Sequence, residues 1–367
     1  MDCTPLRYGG GVQVAIAFLS GLVGQSEFEW HAVAPQQMRE ALRPLQLDAG
    51  KLTFVSKTSP ADIFKIRKGL RALEAQQQPD VVFTVFGPSY HNFSAPHVVG
   101  FALPNLLYPR FRPLGIRRRL TTGIFDILRR RSFRRADRLV VETATAAELL
   151  AKRVGVHPSK IEVVGNSVNP RLLQLAVLPL SSEGPFRILV PSAYYPHKNL
   201  EIIPDVAEYI AGIDPELDFQ FFLTLGEESE GWSIIRGKAK QKAVEDKITN
   251  LGNLNLDALG AQYNQASCVF LPTLREISTA VYPEAFYFRR LLITSDTDFA
   301  RDLCGDAAVF VNPRDPKEIA ETIAVVLKDP NRMKLNIEEG QRQLARKFPS
   351  PHEKFEAQLS ILRSVVQ

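Results

Sequence analysis

Short apolar runs alternate with amphipathic stretches along most of the chain. Apolar runs of this length, rich in β-branched side chains, are typical of parallel strands that are covered on both faces. The predicted strands are Val81–Phe86, Arg138–Val141, Ile161–Val164, Arg187–Val190, Phe219–Leu223, Cys268–Leu271, Leu291–Thr294 and Ala308–Val311. Between them, Val12–Val23 and Ile319–Leu327 each gather their apolar residues on one helical face. The alternation predicts an α/β fold with doubly wound sheets.

Two breaks in this alternation divide the chain. The first lies at 169–185, where prolines, serines and a glycine replace the periodic residues. The second, at 349–351, precedes a helical stretch at 353–366. We therefore expect a first domain at 1–170, a second domain at 171–349, and a C-terminal helix at 350–367 that crosses back to the first domain. Because only Met1–Pro5 precedes the first glycine loop, the first strand is expected to be short or truncated.

Length and composition agree with a two-domain globular protein. At 367 residues, with 45% hydrophobic and 23% charged residues, the chain exceeds what one hydrophobic core usually supports. No run reaches the ~20 apolar residues of a membrane span, and no leader-like segment argues for secretion, so we expect a cytoplasmic location. Cys3, Cys268 and Cys304 lack metal-ligand spacing and are expected to be buried thiols.

The clearest chemical pattern is a pair of carboxylates after the strand Cys268–Leu271. Glu276 and Glu284 are separated by seven residues, among them Ser278 and Thr279. Ligands of doubly wound sheets bind at the carboxyl ends of the strands. A helix capped by Ser278 or Thr279 would offer free amides to a diphosphate, and each carboxylate can accept two hydroxyl groups. On spacing alone, a surface loop followed by an ordinary helical glutamate stays open.

Two other segments carry residues that suit a phosphorylated ligand. Lys198 and Asn199 follow the strand Arg187–Val190, and a lysine there can neutralise the charge on a departing nucleoside diphosphate. Gly10 and Gly11 precede the first helix, where missing side chains let backbone amides approach an anion or a sugar. A solvated lysine and a flexible turn are the alternatives. The chain has neither a P-loop nor a spaced G-x-G-x-x-G pattern.

Taken in order, these segments resemble the GT-B superfamily, and specifically glycosyltransferase family 4, the group-1 or mannosyl/rhamnosyltransferase-like enzymes. The matching segments are Tyr8–Gly11 for the Gly-Gly element, Val140–Thr143 with Ile161–Val168 for the passage before the domain boundary, Pro196–Asn199 for the Lys-Asn signature, Leu251–Asn253 for the turn near the base, and Glu276 with Glu284 for the E-x7-E motif. Ordered motifs across both domains are more specific than any one of them. The resemblance implies two Rossmann-like domains facing a cleft.

The resemblance also implies a role for each matched residue. Lys198 would contact the donor diphosphate, Glu276 the transferred sugar and Glu284 the ribose. The remaining donor-binding candidates are Ser278, Thr279, Asn199, Asn253, Gly10 and Gly11. The arginine that the family has five residues before the lysine is Ala193 here, and Glu-Ile-Ser-Thr replaces the glycine-rich form of the motif. Some diphosphate contacts are therefore expected to differ from the family's.

The implied activity is transfer of a hexose, with retained anomeric configuration, from a GDP-, UDP- or dTDP-sugar. The acceptor would be a glycan or a lipid-linked oligosaccharide in cell-surface polysaccharide synthesis, with the leaving phosphate as the base. No metal is expected, because the D-x-D-like pair Asp296 and Asp298 can cap the helix that begins near Phe299, and the six histidines lack ligand spacing. A nucleotide-sugar epimerase and an inactive glycosyltransferase-like binding protein are the alternatives.

Arginines are concentrated in one segment of the first domain. Eleven lie between Arg110 and Arg138, against only two aspartates. Apolar residues interleave with them, as in a helix that lies on an anionic membrane surface. The candidates for this contact are Arg117, Arg118, Arg119, Arg129, Arg130 and Arg131, and we expect peripheral attachment to the inner face of the cell membrane. A solvated basic helix face is the alternative. Nucleic-acid binding is not expected, since the donor-type motifs occupy the other domain.

Overall fold

The computed structural model describes residues 1–6, 9–56, 59, 61–109, 116–180 and 184–366, and of residues 116–121 it describes the backbone alone. Within these ranges the chain forms two compact units. The first consists of Met1–Gly165 together with Ser350–Gln367, and the second of Asn166–Pro349. Each unit has its own parallel sheet and its own hydrophobic core.

The described residues of the first unit before its C-terminal segment form six α-helices and six strands. The helices are α1 (Gly10–Leu22), α2 (Arg39–Leu42), α3 (Asp62–Gln77), α4 (Pro104–Leu107), α5 (Ile116–Arg135) and α6 (Ala144–Leu149). The strands are β1 (Ala32–Pro35), β2 (Leu52–Val55), β3 (Val82–Thr84), β4 (His97–Gly100), β5 (Arg138–Val141) and β6 (Ile161–Val163). All strand pairs are parallel, with β1 beside β2 and the others in the order β3-β4-β5-β6.

The chain's first residues join these two sets of strands. Asp2 forms parallel bridges to Val33 of β1 and to Thr84 of β3. Its amide donates to the carbonyl of Phe83 at 2.7 Å, and the amide of Cys3 donates to Val33 at 2.8 Å. The short first strand expected from the sequence is therefore a single bridging residue that completes the sheet.

The second unit has a Rossmann topology. Its helices are α7 (Ile203–Ile213), α8 (Glu230–Gln241), α9 (Leu256–Gln265), α10 (Val281–Tyr287), α11 (Asp298–Cys304), α12 (Pro316–Leu327) and α13 (Pro330–Lys347). Its strands are β7 (Phe186–Val190), β8 (Phe219–Leu223), β9 (Ile248–Asn250), β10 (Cys268–Leu271), β11 (Leu291–Ser295) and β12 (Ala308–Val311). The parallel sheet has the order β12-β11-β10-β7-β8-β9. The direction of strand addition reverses between β7 and β10, which is where ligands bind in sheets of this kind.

The central strands of the second unit are buried on both faces. Along β10, Cys268 and Phe270 belong to the core on one side of the sheet, while Val269 and Leu271 belong to the core on the other. This alternation explains why the strand reads as a continuous apolar run. The predicted fold class, α/β with two Rossmann-like doubly wound domains, is confirmed.

The C-terminal segment forms α14 (Pro351–Ser364) and packs in the first unit. Ser350 and Glu353 close a capping box at its start. The ring of Phe355 lies 5.3 Å from that of Phe18 in α1, and Lys354 forms a 3.0 Å ion pair with Glu142. The expected return of this helix to the N-terminal domain is confirmed.

Within the described ranges, none of the helices combines the length and the apolar character that a membrane span requires.

Candidate functional site

Two loops flank the reversal point of the second sheet. One follows β7 and carries Lys198, and the other follows β10 and carries Glu276. The carbonyl of His197 accepts hydrogen bonds from the amide of Leu274 at 2.7 Å and from Thr273 Oγ1 at 3.1 Å. These bonds join the loops, so residues far apart in sequence meet at the carboxyl ends of adjacent strands.

Lys198 and Glu276 form an ion pair where the loops meet. Lys198 Nζ contacts Glu276 Oε1, and the two side chains are only 13% and 12% exposed. His197 Nε2 lies 3.5 Å from the same carboxylate oxygen. Burial by itself raises the pKa of Glu276, but the charge of Lys198 and the contact with His197 outweigh it, so the pKa is lowered. Glu276 is thus held ionised beside a cation.

Asn199 fixes the end of the lysine loop. Its φ of 58° is in the left-handed region, where asparagine is tolerated better than most residues. Its Nδ2 donates to the carbonyl of Pro313 at 2.7 Å. The side chain therefore anchors the loop to the segment that follows β12, and its donor-binding role stays a prediction.

The segment between the two glutamates ends in a short helix. Helix α10 begins at Val281, and Thr279 Oγ1 accepts a hydrogen bond from the Val281 amide at 3.3 Å. The residue before the helix is Ala280, not the Ser278 or Thr279 cap that the sequence favoured, because residues 277–280 are not helical, and Glu284 therefore lies in the first turn. Ser278 Oγ is buried and has no hydrogen-bond partner among the described residues. A buried hydroxyl of this kind suits a ligand that supplies the missing bond.

Glu284 is buried in the second unit. Its residue exposure is 7%, and its Oε2 accepts a 2.8 Å hydrogen bond from the phenol of Tyr263 in α9. Burial raises the pKa of Glu284 to about 7, while the bond from Tyr263 acts in the opposite direction. The carboxyl group therefore changes its protonation near neutral pH.

Asn253 lies two strands away from the ion pair. It follows β9, at the edge of the sheet, next to Gly252 whose φ is +71°. The residue is exposed and packs beside Gly226, where an added Cβ would lie 3.2 Å from its Nδ2. Its predicted contact with the donor stays a prediction.

Gly10 and Gly11 belong to the first unit and open α1. Gly9 precedes them with a φ of 73°, which glycine adopts without strain. A Cβ on Gly10 would meet nothing within 4 Å, whereas one on Gly11 would lie 3.0 Å from Leu6. The open space above Gly10 is compatible with close approach of a ligand. Tyr8, the first residue of this motif, lies outside the described residues.

Within the arginine segment, Ile116–Arg135 forms α5, and its side chains from 122 onward include both buried and exposed positions. Arg130 donates to the carbonyls of Arg153 and Leu106, and Arg129 pairs with Asp126 at 3.3 Å. Arg131 is exposed. The side chains of the other three predicted membrane-contacting arginines, Arg117, Arg118 and Arg119, lie outside the described residues.

The D-x-D-like pair is engaged in local structure. Asp296 forms a bidentate ion pair with Arg301, with both distances 2.8 Å, and Asp298 Oδ1 accepts from the amide of Phe299 at 2.8 Å. The helix begins at Asp298 with Thr297 as its N-cap residue, so neither aspartate is the N-cap that the sequence favoured. Among the described residues, no cluster of three or more His, Cys, Asp or Glu side chains could hold a metal ion.

His197 and Tyr263 were missed by the sequence analysis. His197 is adjacent to Lys198, so its position in the sequence could have identified it as a residue of the site. Tyr263 is 21 residues from Glu284 and lies on a different helix, so only the fold brings the two side chains together.

The fold and site define a protein with two Rossmann-like units, the second of which holds a largely buried lysine–glutamate pair at the carboxyl ends of its central strands. Residues 8–172 match the family described as Glycosyltransferase Family 4, and residues 179–343 match Glycosyl transferases group 1. The chain belongs to the group-1, family-4-like glycosyltransferases of the GT-B superfamily, and it is a glycosyltransferase.

Solved structures share the fold over the whole chain. A glycosyltransferase from Rickettsia africae has a TM-score of 0.72 at 14% identity, covering 100% of this chain and 98% of its own. Anabaena HepE, solved with UDP and glucose, has a TM-score of 0.71 at 13% identity, with coverage of 98% and 97%. Sucrose-phosphate synthase from Thermosynechococcus elongatus has a TM-score of 0.69 at 16% identity, with coverage of 96% and 92%. No curated protein sequence matches the chain.

Proposed function

We propose that this glycosyltransferase transfers a hexose from a nucleoside-diphosphate sugar to a glycan or lipid-linked oligosaccharide, with retention and without a metal ion, in cell-surface polysaccharide synthesis. The observation that carries the proposal is the buried pair of Lys198 and Glu276 at the reversal point of the second sheet. A cation and a carboxylate side by side match the two ends of such a donor, since the diphosphate is anionic and the sugar carries hydroxyl groups.

Lys198 is assigned to the leaving group. Charge accumulates on the diphosphate as its bond to the sugar breaks, and a cation held in a buried loop stabilises that charge without reorganising. In the structure, Glu276 and Lys198 form an ion pair with each other. Donor binding would exchange this contact for two others, with the phosphate on Lys198 and the sugar hydroxyls on Glu276.

Glu284 is assigned to the ribose, and the buried hydroxyl of Ser278 to the phosphates. The carboxylate of Glu284 can accept two hydroxyl groups, and Ser278 Oγ has no partner of its own among the described residues. UDP is bound in HepE, a protein of the same fold, which supports a nucleotide donor here. GDP- and dTDP-sugars are the other donors to be tried.

Retention is proposed from the family resemblance, with a leaving phosphate oxygen as the base that accepts the proton of the acceptor hydroxyl. A nucleotide-sugar epimerase would instead turn over its substrate when no acceptor is present. Product analysis by NMR with and without an acceptor glycan separates these reactions and gives the anomeric configuration directly.

The experiment that tests the assignment compares Lys198→Ala with Lys238→Ala. Lys238 is also an ion-paired lysine of the second unit, bonded to Asp205, but it lies on α8. We expect Lys198→Ala to lower kcat by roughly 10²- to 10³-fold, the range seen when one such electrostatic group is removed. Lys238→Ala should keep wild-type kcat. Equal kcat values for the two variants would refute the role of Lys198.

We further propose that α5 attaches the protein to an anionic membrane surface. Ile124, Leu128, Arg131 and Arg135 follow one another at i, i+4, i+7 and i+11, so they share one helical face, and Ile127 borders it. All five are exposed, and the three aliphatic side chains are each more than half exposed. Three aliphatic residues beside two cations suit the boundary between acyl chains and anionic headgroups.

The membrane proposal is tested by vesicle sedimentation. Wild-type protein should bind phosphatidylglycerol vesicles, lose that binding at high salt, and bind phosphatidylcholine vesicles weakly. The double variant Ile127→Glu/Leu128→Glu should stay in the supernatant. Leu335→Glu is the control, because Leu335 on α13 is as exposed as Ile127. Retained binding by the double variant, or equal losses in both variants, would contradict the proposal.

A further inference from the structure

Tyr263 is the buried side chain that contacts the predicted ribose-binding carboxylate. It lies in α9, with none of its surface exposed. Its ring stacks on that of Phe288 at 5.1 Å between centroids and an interplanar angle of 1°. The backbone at this position is held as well, since Arg290 Nε donates to the Tyr263 carbonyl at 2.7 Å and Arg290 Nη2 donates to the carbonyl of the next residue, Asn264, at 2.8 Å. The phenol group is therefore held in one orientation.

The phenol is directed at one oxygen of Glu284. Tyr263 Oη donates to Glu284 Oε2 at 2.8 Å, and both groups are buried. This bond fixes the plane of the carboxylate and uses one of its oxygens. The other oxygen, Oε1, has no hydrogen bond among the described residues. A carboxylate held in this way presents one oriented acceptor to a ligand.

We propose that Tyr263 is a positioning residue that orients the Glu284 carboxylate toward the ribose hydroxyls of the donor. The inference rests on the proposed function, in which Glu284 binds that ribose. Tyr263 itself touches no substrate in this account, because its hydroxyl is consumed by the carboxylate.

The hydrogen bond from Tyr263 also affects the pKa of Glu284. Helix α10 contacts α13, contacts α9 through the bond from Tyr263 to Glu284, and contacts α11 through the stacked rings of Tyr282 and Phe299. The titratable residues of these elements are Asp257 and Tyr263 of α9, Tyr282 and Tyr287 of α10, Arg289 and Arg290 after it, Asp298, Arg301, Asp302 and Cys304 of α11, and the arginines, lysines and glutamates of α13. Of these, only Tyr263 acts on the pKa of Glu284 beside burial, which raises that pKa to about 7. Because the phenol donates to the charged form, its removal would raise the pKa further.

The protonation state decides what Glu284 can accept. Ionised Glu284 accepts the phenol of Tyr263 at Oε2 and can accept a ligand hydroxyl at Oε1, whereas the protonated acid carries a donor on one of its oxygens. Nucleotide affinity should therefore be high above the pKa of Glu284 and fall as pH decreases through it. Loss of the phenol should move this transition to higher pH.

The experiment measures the dissociation constants of UDP and GDP by calorimetry from pH 6 to pH 9, in wild-type protein, Tyr263→Phe and Tyr282→Phe. Tyr282 is the matched control, since it is a fully buried tyrosine of the same core whose hydroxyl bonds to Thr294 at 2.8 Å. Dividing the dissociation constant of Tyr263→Phe by that of Tyr282→Phe at the same pH removes the effect of ionisation of the nucleotide's own phosphate, because both constants contain it. Circular dichroism verifies that each variant is folded.

We expect the affinity transition near pH 7 in wild-type protein and in Tyr282→Phe. In Tyr263→Phe it should move upward by roughly one pH unit, with affinity about fivefold weaker at pH 7 and regained at pH 9. In Glu284→Gln the transition should vanish, and adding Tyr263→Phe should change nothing further. Equal transitions in Tyr263→Phe and Tyr282→Phe would overturn the inference.

Failure of the proposed function gives a different result. If Glu284→Gln binds both nucleotides as tightly as wild-type protein, Glu284 has no part in donor binding. If wild-type protein binds neither nucleotide, the donor site itself is misassigned. Either result overturns the inference as well, whereas a normal Glu284→Gln defect with an unshifted Tyr263→Phe transition overturns the inference alone.

Discussion

The ion pair of Lys198 and Glu276 leads to a quantitative prediction for Lys198→Met. Methionine keeps the unbranched length of lysine and removes its charge. Breaking a buried pair by removing one partner typically costs about 3–5 kcal/mol, because the remaining charge is left uncompensated. His197 lies 3.5 Å from the same carboxylate oxygen and offsets part of this loss. We therefore expect Lys198→Met to lower the second unit's free energy of unfolding by about 3 kcal/mol at pH 7, the lower end of this range.

The pH dependence of this loss has a defined sign. In the wild-type protein the pKa of Glu276 is lowered, so its contribution to stability is present above its unfolded pKa and is lost as the pH falls through the folded value. Without Lys198, burial is the largest remaining effect and raises the pKa. Glu276 then destabilises the fold above its unfolded pKa, and protonation relieves the penalty in acid. The cost of Lys198→Met should be largest at pH 7 and shrink toward pH 5.

The assay can observe the second unit alone. The chain has two tryptophans, Trp30 in the first unit and Trp232 in the second. Urea unfolding followed by Trp232 fluorescence in a Trp30→Phe background therefore reports the unit that holds the pair. Adding Glu276→Gln to Lys198→Met should restore most of the lost stability. A penalty that is the same at both pH values, or the same with Glu276→Gln present, would refute the buried-pair reasoning.

Further predictions concern packing, metal independence and the thiols. Gly21→Ala should destabilise the first unit by about 1–3 kcal/mol in thermal unfolding, because its Cβ would lie 2.5 Å from the ring of Phe355. Gly69→Ala, with open space around it in α3, should stabilise the same unit by up to about 1 kcal/mol in the same assay. Asp296→Asn and EDTA should each leave kcat unchanged, and a tenfold loss from either would revive a metal site. The three cysteines are buried with raised pKa values, so a thiol reagent at pH 8 should label them only after denaturation: Cys3, Cys268 and Cys304.

The sequence predicted strands β7, β8, β10, β11 and β12 of the second unit, because burial on both faces produces continuous apolar runs. The predicted bounds of Phe219–Leu223 and Cys268–Leu271 coincide with β8 and β10. Strands β1, β2 and β4 of the first unit and β9 of the second were missed. All four are short, with three or four residues each, and β1 and β4 contain Pro35 and His97, residues that weaken a strand signal.

The site could be predicted to the level of its residues but not of its contacts. The spacing of Glu276 and Glu284 and the position of Lys198 after a strand singled out all three. The sequence gives no distance between 198 and 276, and the fold supplies it through the bonds that join the two loops. Likewise, interleaved arginines in α5 predicted a basic helix, but only the structure shows that Arg130 is bonded to backbone carbonyls and Arg131 faces solvent.

The most direct test of the central claim is the unfolding temperature of the second unit, followed by Trp232, against a panel of UDP-, GDP- and dTDP-sugars. A ligand at about a hundred times its dissociation constant adds roughly 2.7 kcal/mol, which corresponds to roughly 5–11 °C for a domain of this size. We predict that at least one nucleotide sugar stabilises the second unit to this extent, and that Glu284→Gln reduces the shift. No shift with any donor of the panel would contradict the assignment of a nucleotide-sugar site to this unit.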